Sequence, residues 1–149
     1  MRALAGRGRF SYVAFGPGGD GVEDWLGVHC PGFVADTAPQ AADDYWPGYA
    51  EMFGSIGKER GFAPPNRAHF DAMRGPTGAL FVGDPETVAE KVLSVSEALG
   101  GISRLTFQMT NVTLAHDKML HSIELLGTRV APLVRNAHAE SVGTIGQAA

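Results

Sequence analysis

The chain carries a single cysteine, Cys30, in 149 residues. That excludes an internal disulfide and any cysteine-rich metal site, and it fits a reducing compartment. Charge is scarce as well. Asp, Glu, Lys and Arg make up 19% of the chain against 44% hydrophobic residues, so there is material for a core and wholesale disorder is excluded. A basic excess is missing: the net charge of −4 and pI near 5.7 give no footprint for nucleic acid or an anionic membrane. No basic-then-apolar leader opens the sequence, and no apolar run approaches the ~20 residues of a spanning helix. No HExxH is present, and His116 and His121 stand off the i, i+4 face that a helical metal pair needs, so no metal is expected. These absences leave a soluble, cytoplasmic single domain, or a piece of a larger one.

What the sequence does have is concentrated in residues 78–99, GALFVGDPETVAEKVLSVSEAL. Ala79, Leu80, Phe81 and Val82 read as a short buried strand, and Gly83 as a turn. Asp84 is an N-cap whose carboxylate accepts from orphan amides of the first helical turn. Pro85 suits the first helical position, and Glu86 places negative charge at the positive end of the dipole. Val88, Val92, Val95 and Leu99 then recur on one stripe, and Gly100 with Gly101 supplies a left-handed stop. Strand, glycine and capped helix make one βα unit.

The rest of the chain repeats that pattern. Residues 1–24 form an irregular, glycine-rich N-terminal segment in which FSYVAF (10–15) is a strand candidate. The run after it, GPGGDG, lacks the helix start that a phosphate cradle needs. WLGVHC (25–30) is a second strand candidate, closed by Pro31 and Gly32 and extended irregularly by Phe33, Val34 and Ala35. Asp36 and Thr37 cap a helix from near Pro39 to Gly61, with a kink expected at Pro47. Residues 62–77 read as a connector with one helical turn near 68–73. ISRLTFQM (102–109) is a third strand. A last helix shows the stripe Met119, Leu120, Ile123, Leu126 and Val130, with Pro132 marking its end and residues 136–149 a frayed tail.

Strands alternating with helices imply a parallel sheet with right-handed crossovers. An eight-unit barrel takes ~250 residues, so three units are incomplete on their own, with exposed edges and an uncovered strand face. A partner, a rearranged small fold or a truncated gene product is therefore expected. In parallel α/β folds, ligands meet the C-terminal strand ends. Three such places qualify: His29 and Cys30; Gly83, Asp84 and Glu86; and Phe107 and Gln108. His29 can serve as a general base or a donor to a ring ligand; its structural reading is a packed strand-end histidine. Cys30 reads as core, since nothing near it activates a thiol. At residues 83–86, capping competes with phosphate binding, because Asp84 and Glu86 repel an anion. Tyr45, Trp46, Tyr49 and Phe53 make a ring-stacking surface, a core stripe or a subunit interface.

Taken in order, GALFVGDPETVAEKVLSVSEALGGISRLTFQM, then LAHDKMLHSIELLGTRVAPLVR, resembles the C-terminal end of luciferase-like flavin-dependent monooxygenases. The likeness lies in the Gly-Asp-Pro-Glu helix start, the last strand and the His-Asp-Lys-hydrophobic helix. VHCPGFVADTAPQAADDYWPGYAEM is similar to the preceding unit of one subgroup, so the likeness covers about residues 25–135. It implies the last units of a TIM (β/α)8 barrel binding reduced FMN, or deazaflavin F420 in one branch, and oxygenating a small organic substrate with O2. Under it His29 is a candidate catalytic residue, and Gly83, Asp84, Glu86, Phe107 and Gln108 are candidate flavin contacts. The expected partners are flavin, a small-molecule substrate, and a second copy or a complementing barrel half. Asp84 replaces the Ser or Thr of many relatives, and Ala115 stands where Pro is common. The alternative is a non-catalytic flavin-binding or assembly protein derived from a shortened barrel. A hydrolase or transferase built on His29 lacks a visible nucleophile with a paired base.

Overall fold

The computed structural model describes residues 26–111 and 113–146; the readings made for residues 1–24 lie outside them. Its elements are β1 (Gly27–Val34), α1 (Ala38–Arg60), α2 (Arg67–Arg74), β2 (Phe81–Gly83), α3 (Pro85–Ala98), β3 (Arg104–Gln108), α4 (His116–Leu125), a π-helical turn (Leu126–Val130) and α5 (Ala131–Gly146). Both strand pairs are parallel, as the βα pattern requires.

The strand order is β2-β1-β3. A contiguous arc of barrel would keep the strands in chain order, so this is the rearranged small fold among the three expected outcomes. The physical gain is coverage. Cys30, Val34 and Phe81 pack with Val88, Ala89, Val92 and Val95 of α3 and with Leu125 and Val130. Phe33, Leu80 and Val82, which alternate with them along the strands, pack with Tyr45 and Tyr49 of α1 and Phe70 of α2. Moving β3 to the far edge of β1 thus puts helices on both faces, where an isolated arc would leave one face bare.

The central strand does not stop at Pro31 and Gly32. It pairs with β3 from Gly27 to Pro31 and with β2 from Gly32 to Val34, so the two residues lie where one neighbour hands over to the other. Ala35 donates its amide to the Gly83 carbonyl at 3.2 Å. Counting back by twos puts Pro31's missing N–H on the β2 edge, ahead of the first paired residue, where no bond is lost. The amide of Val34 points to the other edge, past the end of β3, and donates to the buried Ser122 Oγ of α4 at 2.8 Å. Gly32 leaves room above β1 for Phe107 and Phe81 to meet edge to face, centroids 5.8 Å apart. A Cβ built there would fall within the Phe107 ring.

Helix boundaries follow their caps. Thr37 accepts from the Gln40 amide, Asn66 from His69 and Asp84 from Thr87. Gly61 (φ 72°) closes α1, while Gly100 (φ 77°) and Gly101 (φ 108°) follow α3. α1 runs from Ala38 to Arg60 with Pro47 inside it, close to the span expected. Two expectations need correction. The connector holds two turns rather than one, because Asn66 caps it. The helix does not end at Pro132: α4, the π turn and α5 follow one another without a break, so that proline lies inside a helical run that continues to Gly146.

The face of α4 is also rotated from the stripe read in the sequence. Ser122, Leu125 and Val130 are buried, whereas Leu120 and Ile123 are half exposed. The Val34–Ser122 bond and the packing of Leu125 on α3 set that rotation.

Lys91 lies on the buried face of α3, 5% exposed. Its ammonium donates to the carbonyls of Gly75 (2.7 Å), Leu80 (2.8 Å), Arg74 (3.2 Å) and Met73 (3.5 Å). It also sits 5.2 Å from the Phe81 ring centroid. Burial pulls the ammonium down to about 8.

Candidate functional site

β3 is an edge strand with every residue at least partly exposed. Along it runs an open groove of about 800 Å³. His29 faces Thr106 in the parallel register, so those two side chains and that of Gln108 lie on one face of the sheet, while Phe107 lies on the other against Phe81. The groove wraps this strand edge, and Met119, Ile123 and Leu126 of α4 and the π turn line it as well. The groove therefore brings together His29, Phe107 and Gln108 of the residues singled out in the sequence.

Its floor is fixed from α1. Tyr45, 1% exposed, donates its hydroxyl to the Gln108 carbonyl at 3.2 Å. Burial pushes the phenol up to about 12, so it stays a donor. Asn111 donates to the Tyr45 carbonyl (3.3 Å) and accepts from the Leu114 amide (2.9 Å). Gly48 makes room for it, since a Cβ there would collide with the Asn111 amide. The loop after β3 is thereby fastened over α1.

Gly83, Asp84 and Glu86 do not line this groove. Gly83 is packed under Thr87 and Val88, Asp84 holds the Thr87 amide at 2.8 Å, and Glu86 pairs with Arg129 at 2.9 Å. This turn caps α3 and fastens it to the π turn, and two carboxylates occupy the positive end of the dipole. Cys30 is core: it is 4% exposed, and burial pushes its thiol up to about 12. The aromatic stripe divides, with Tyr45 and Tyr49 buried and Phe53 37% exposed. Lys118 pairs with Asp44 at 2.6 Å and ties α4 to α1. His121 bonds Asp36 at 3.2 Å, and no cluster of metal-ligating side chains forms among the described residues. Among them no helix is long and apolar enough to cross a membrane.

The sequence reading missed the α4 wall. Met119, Ile123 and Leu126 have ordinary helix-stripe spacing, and only the rotation imposed by Ser122 turns Met119 and Ile123 toward β3.

No family profile and no curated protein sequence matches the chain. Among solved structures it is similar to the oxygenating constituent of 3,6-diketocamphane monooxygenase from the CAM plasmid of Pseudomonas putida. That protein is a type II Baeyer–Villiger monooxygenase determined in complex with FMN. Identity is 24% and the TM-score 0.52, over 71% of this chain and 32% of that one. The likeness is one of fold. This chain spans about a third of the length of its neighbour.

Proposed function

We propose that this chain is the C-terminal segment of a luciferase-like flavin-dependent oxidoreductase, with its flavin wall along β3. The observation that supports it is the fold likeness to an FMN-bound oxygenating subunit over 71% of the chain, together with the open groove along β3.

The residues fit one side of a flavin. His29 and the Gln108 amide offer polar atoms to a ring edge, and Phe107, Met119 and Leu126 supply an apolar surface that keeps water off it. The turn at residues 83–86 does not fit a phosphate, because Asp84 and Glu86 already stand at that helix end. The phosphate contact therefore comes from outside this turn. Reduced FMN, or F420 in the alternative, supplies the redox chemistry on a small organic substrate when bound. The chain orients the ring and covers one of its faces. A partner chain supplies the other.

The open β3 edge supports a second reading, an assembly protein that pairs with its own copy. Antiparallel self-pairing centred on Thr106 sets Leu105 opposite the partner's Phe107 and Arg104 opposite the partner's Gln108, with no like charges facing. Half-exposed Leu120 and Ile123 lie on the adjacent helix.

Titration with FMN and with F420, followed by ligand fluorescence, separates the readings when the species is sized by light scattering. Saturable micromolar binding, weakened at least fivefold by Gln108→Leu, supports the flavin wall. A well-folded dimer that binds neither ligand supports assembly and overturns autonomous flavin binding.

A further inference from the structure

On the α1 and α2 side of the sheet lies a second, more enclosed cavity of about 570 Å³. That volume is within the ~300–1,000 Å³ of small-molecule sites. It is framed by the first half of β1, the second half of α1 and the connector after Gly61. Its body is aromatic: Tyr49 and Phe53 stand 4.4 Å apart, and Phe62 lines the cavity as well. Phe53 and Phe62 are 37% and 57% exposed, so two phenyl rings line a concave surface that no described residue fills.

The polar lining has one character. His29, Arg60 and His69 project nitrogen-bearing heads, and neither Asp nor Glu lines the cavity. Asp71, two residues from His69, is already committed to Arg67 and Arg74. Among the described residues, the Arg60 guanidinium has no hydrogen-bonding or ionic partner. A guanidinium at the mouth of a ring-lined cavity matches a ligand with an apolar body and a planar anionic end, because the guanidinium fork meets a carboxylate through two parallel N–H bonds.

We propose that this cavity binds an apolar monocarboxylate, its hydrocarbon body against Tyr49, Phe53 and Phe62 and its carboxylate on Arg60. The site is distinct from the β3 groove and needs neither flavin nor a complementing barrel half. His29 borders both cavities, so a ligand here sits on the far side of the same histidine that faces the groove.

The test is calorimetric titration of the full chain with octanoate and, in parallel, with octanol. Octanoate should bind at one site per chain with Kd on the order of 10–100 µM, and octanol at least tenfold more weakly. Arg60→Gln should weaken octanoate at least fivefold and leave octanol unchanged. Phe62→Asp, at an exposed position that folding tolerates, should weaken both ligands. Saturating FMN should leave octanoate binding intact. No saturable binding to a folded chain, equal affinity for acid and alcohol, or indifference to Arg60→Gln overturns the proposal. So does displacement of octanoate by FMN, which would put the acid in the groove.

Discussion

Replacing Lys91 with methionine isolates the most unusual contact in the core. The side chain keeps its length and shape, but the ammonium and its four carbonyl acceptors lose one another. The carbonyls of Gly75 and Met73 retain a second donor, from the amides of Gly78 and Leu80 at 3.0 Å each. For Arg74 and Leu80 the ammonium is the donor found among the described residues. Two buried acceptors left bare cost about 1–3 kcal/mol each. Part of that is offset, because an ammonium no longer has to be taken out of water. The net expectation is a loss of about 2–4 kcal/mol. With a urea dependence of about 2 kcal/mol/M for a domain of this size, the midpoint by far-UV circular dichroism drops by about 1–2 M at unchanged slope. The pH dependence gives an independent check. The folded ammonium loses its proton near 8 and the unfolded lysine at its ordinary 10.5, so between those values the unfolded chain holds the extra proton. Wild-type stability gains from Lys91 as pH rises through that window, and below it the contribution is constant. The methionine variant lacks this rise. A variant with an unchanged midpoint would refute the carbonyl cage as a stabilising contact. A rise with pH in the variant equal to wild type would refute its titration.

Three further outcomes follow from the same geometry. Gly32→Ala drives a methyl into the Phe107 ring and should cost about 1–3 kcal/mol. Combining it with Phe107→Ala should recover at least 1 kcal/mol of coupling in a double-mutant cycle by urea unfolding. Ser122→Ala leaves the Val34 amide without its acceptor and should lower stability by about 1–3 kcal/mol, with faster hydrogen exchange at Val34 by NMR. Asp84→Ala removes the α3 cap for about 1 kcal/mol in thermal unfolding, while FMN affinity stays unchanged because the turn stands apart from the groove.

The α3 unit was the most legible part of the sequence, since its cap, proline, stripe and closing glycines are local signals that the structure reproduces, although Gly83 is the last residue of β2 rather than a turn and the strand begins at Phe81. Strand order was not legible. Nothing local to residues 104–108 says which edge of β1 they take; that follows from covering both faces of a small sheet. Pro31 misled for a similar reason, because a proline ends a strand only where its missing amide would have been bonded, and here the ladder has yet to begin on that edge. The groove was half visible. Phe107 and Gln108 could be found as a strand end, and His29 was chosen as one although β1 runs on to Val34 and leaves it mid-strand, whereas Met119 and Ile123 turn to the groove only because a serine 88 residues from Val34 fixes the rotation of α4. Lys91 sits three residues after Val88 on the buried stripe, and its residue type gives no local signal of that burial.

The handover along β1 also bears on how the chain is made. β2 and β3 never pair with each other, so both halves of the sheet depend on a strand that leaves the ribosome before either neighbour exists. Cys30 must wait for Thr106, 76 residues later, which at ~5–20 residues per second is about 4–15 s of translation. During that interval β1 presents Val28, Cys30, Phe33 and Val34, all buried in the finished protein, with both backbone edges open. The proline and glycine at its centre interrupt that exposed segment while it waits, since neither favours pairing with a stray strand. The same two residues that let one strand serve two neighbours thus act as its gatekeepers during synthesis.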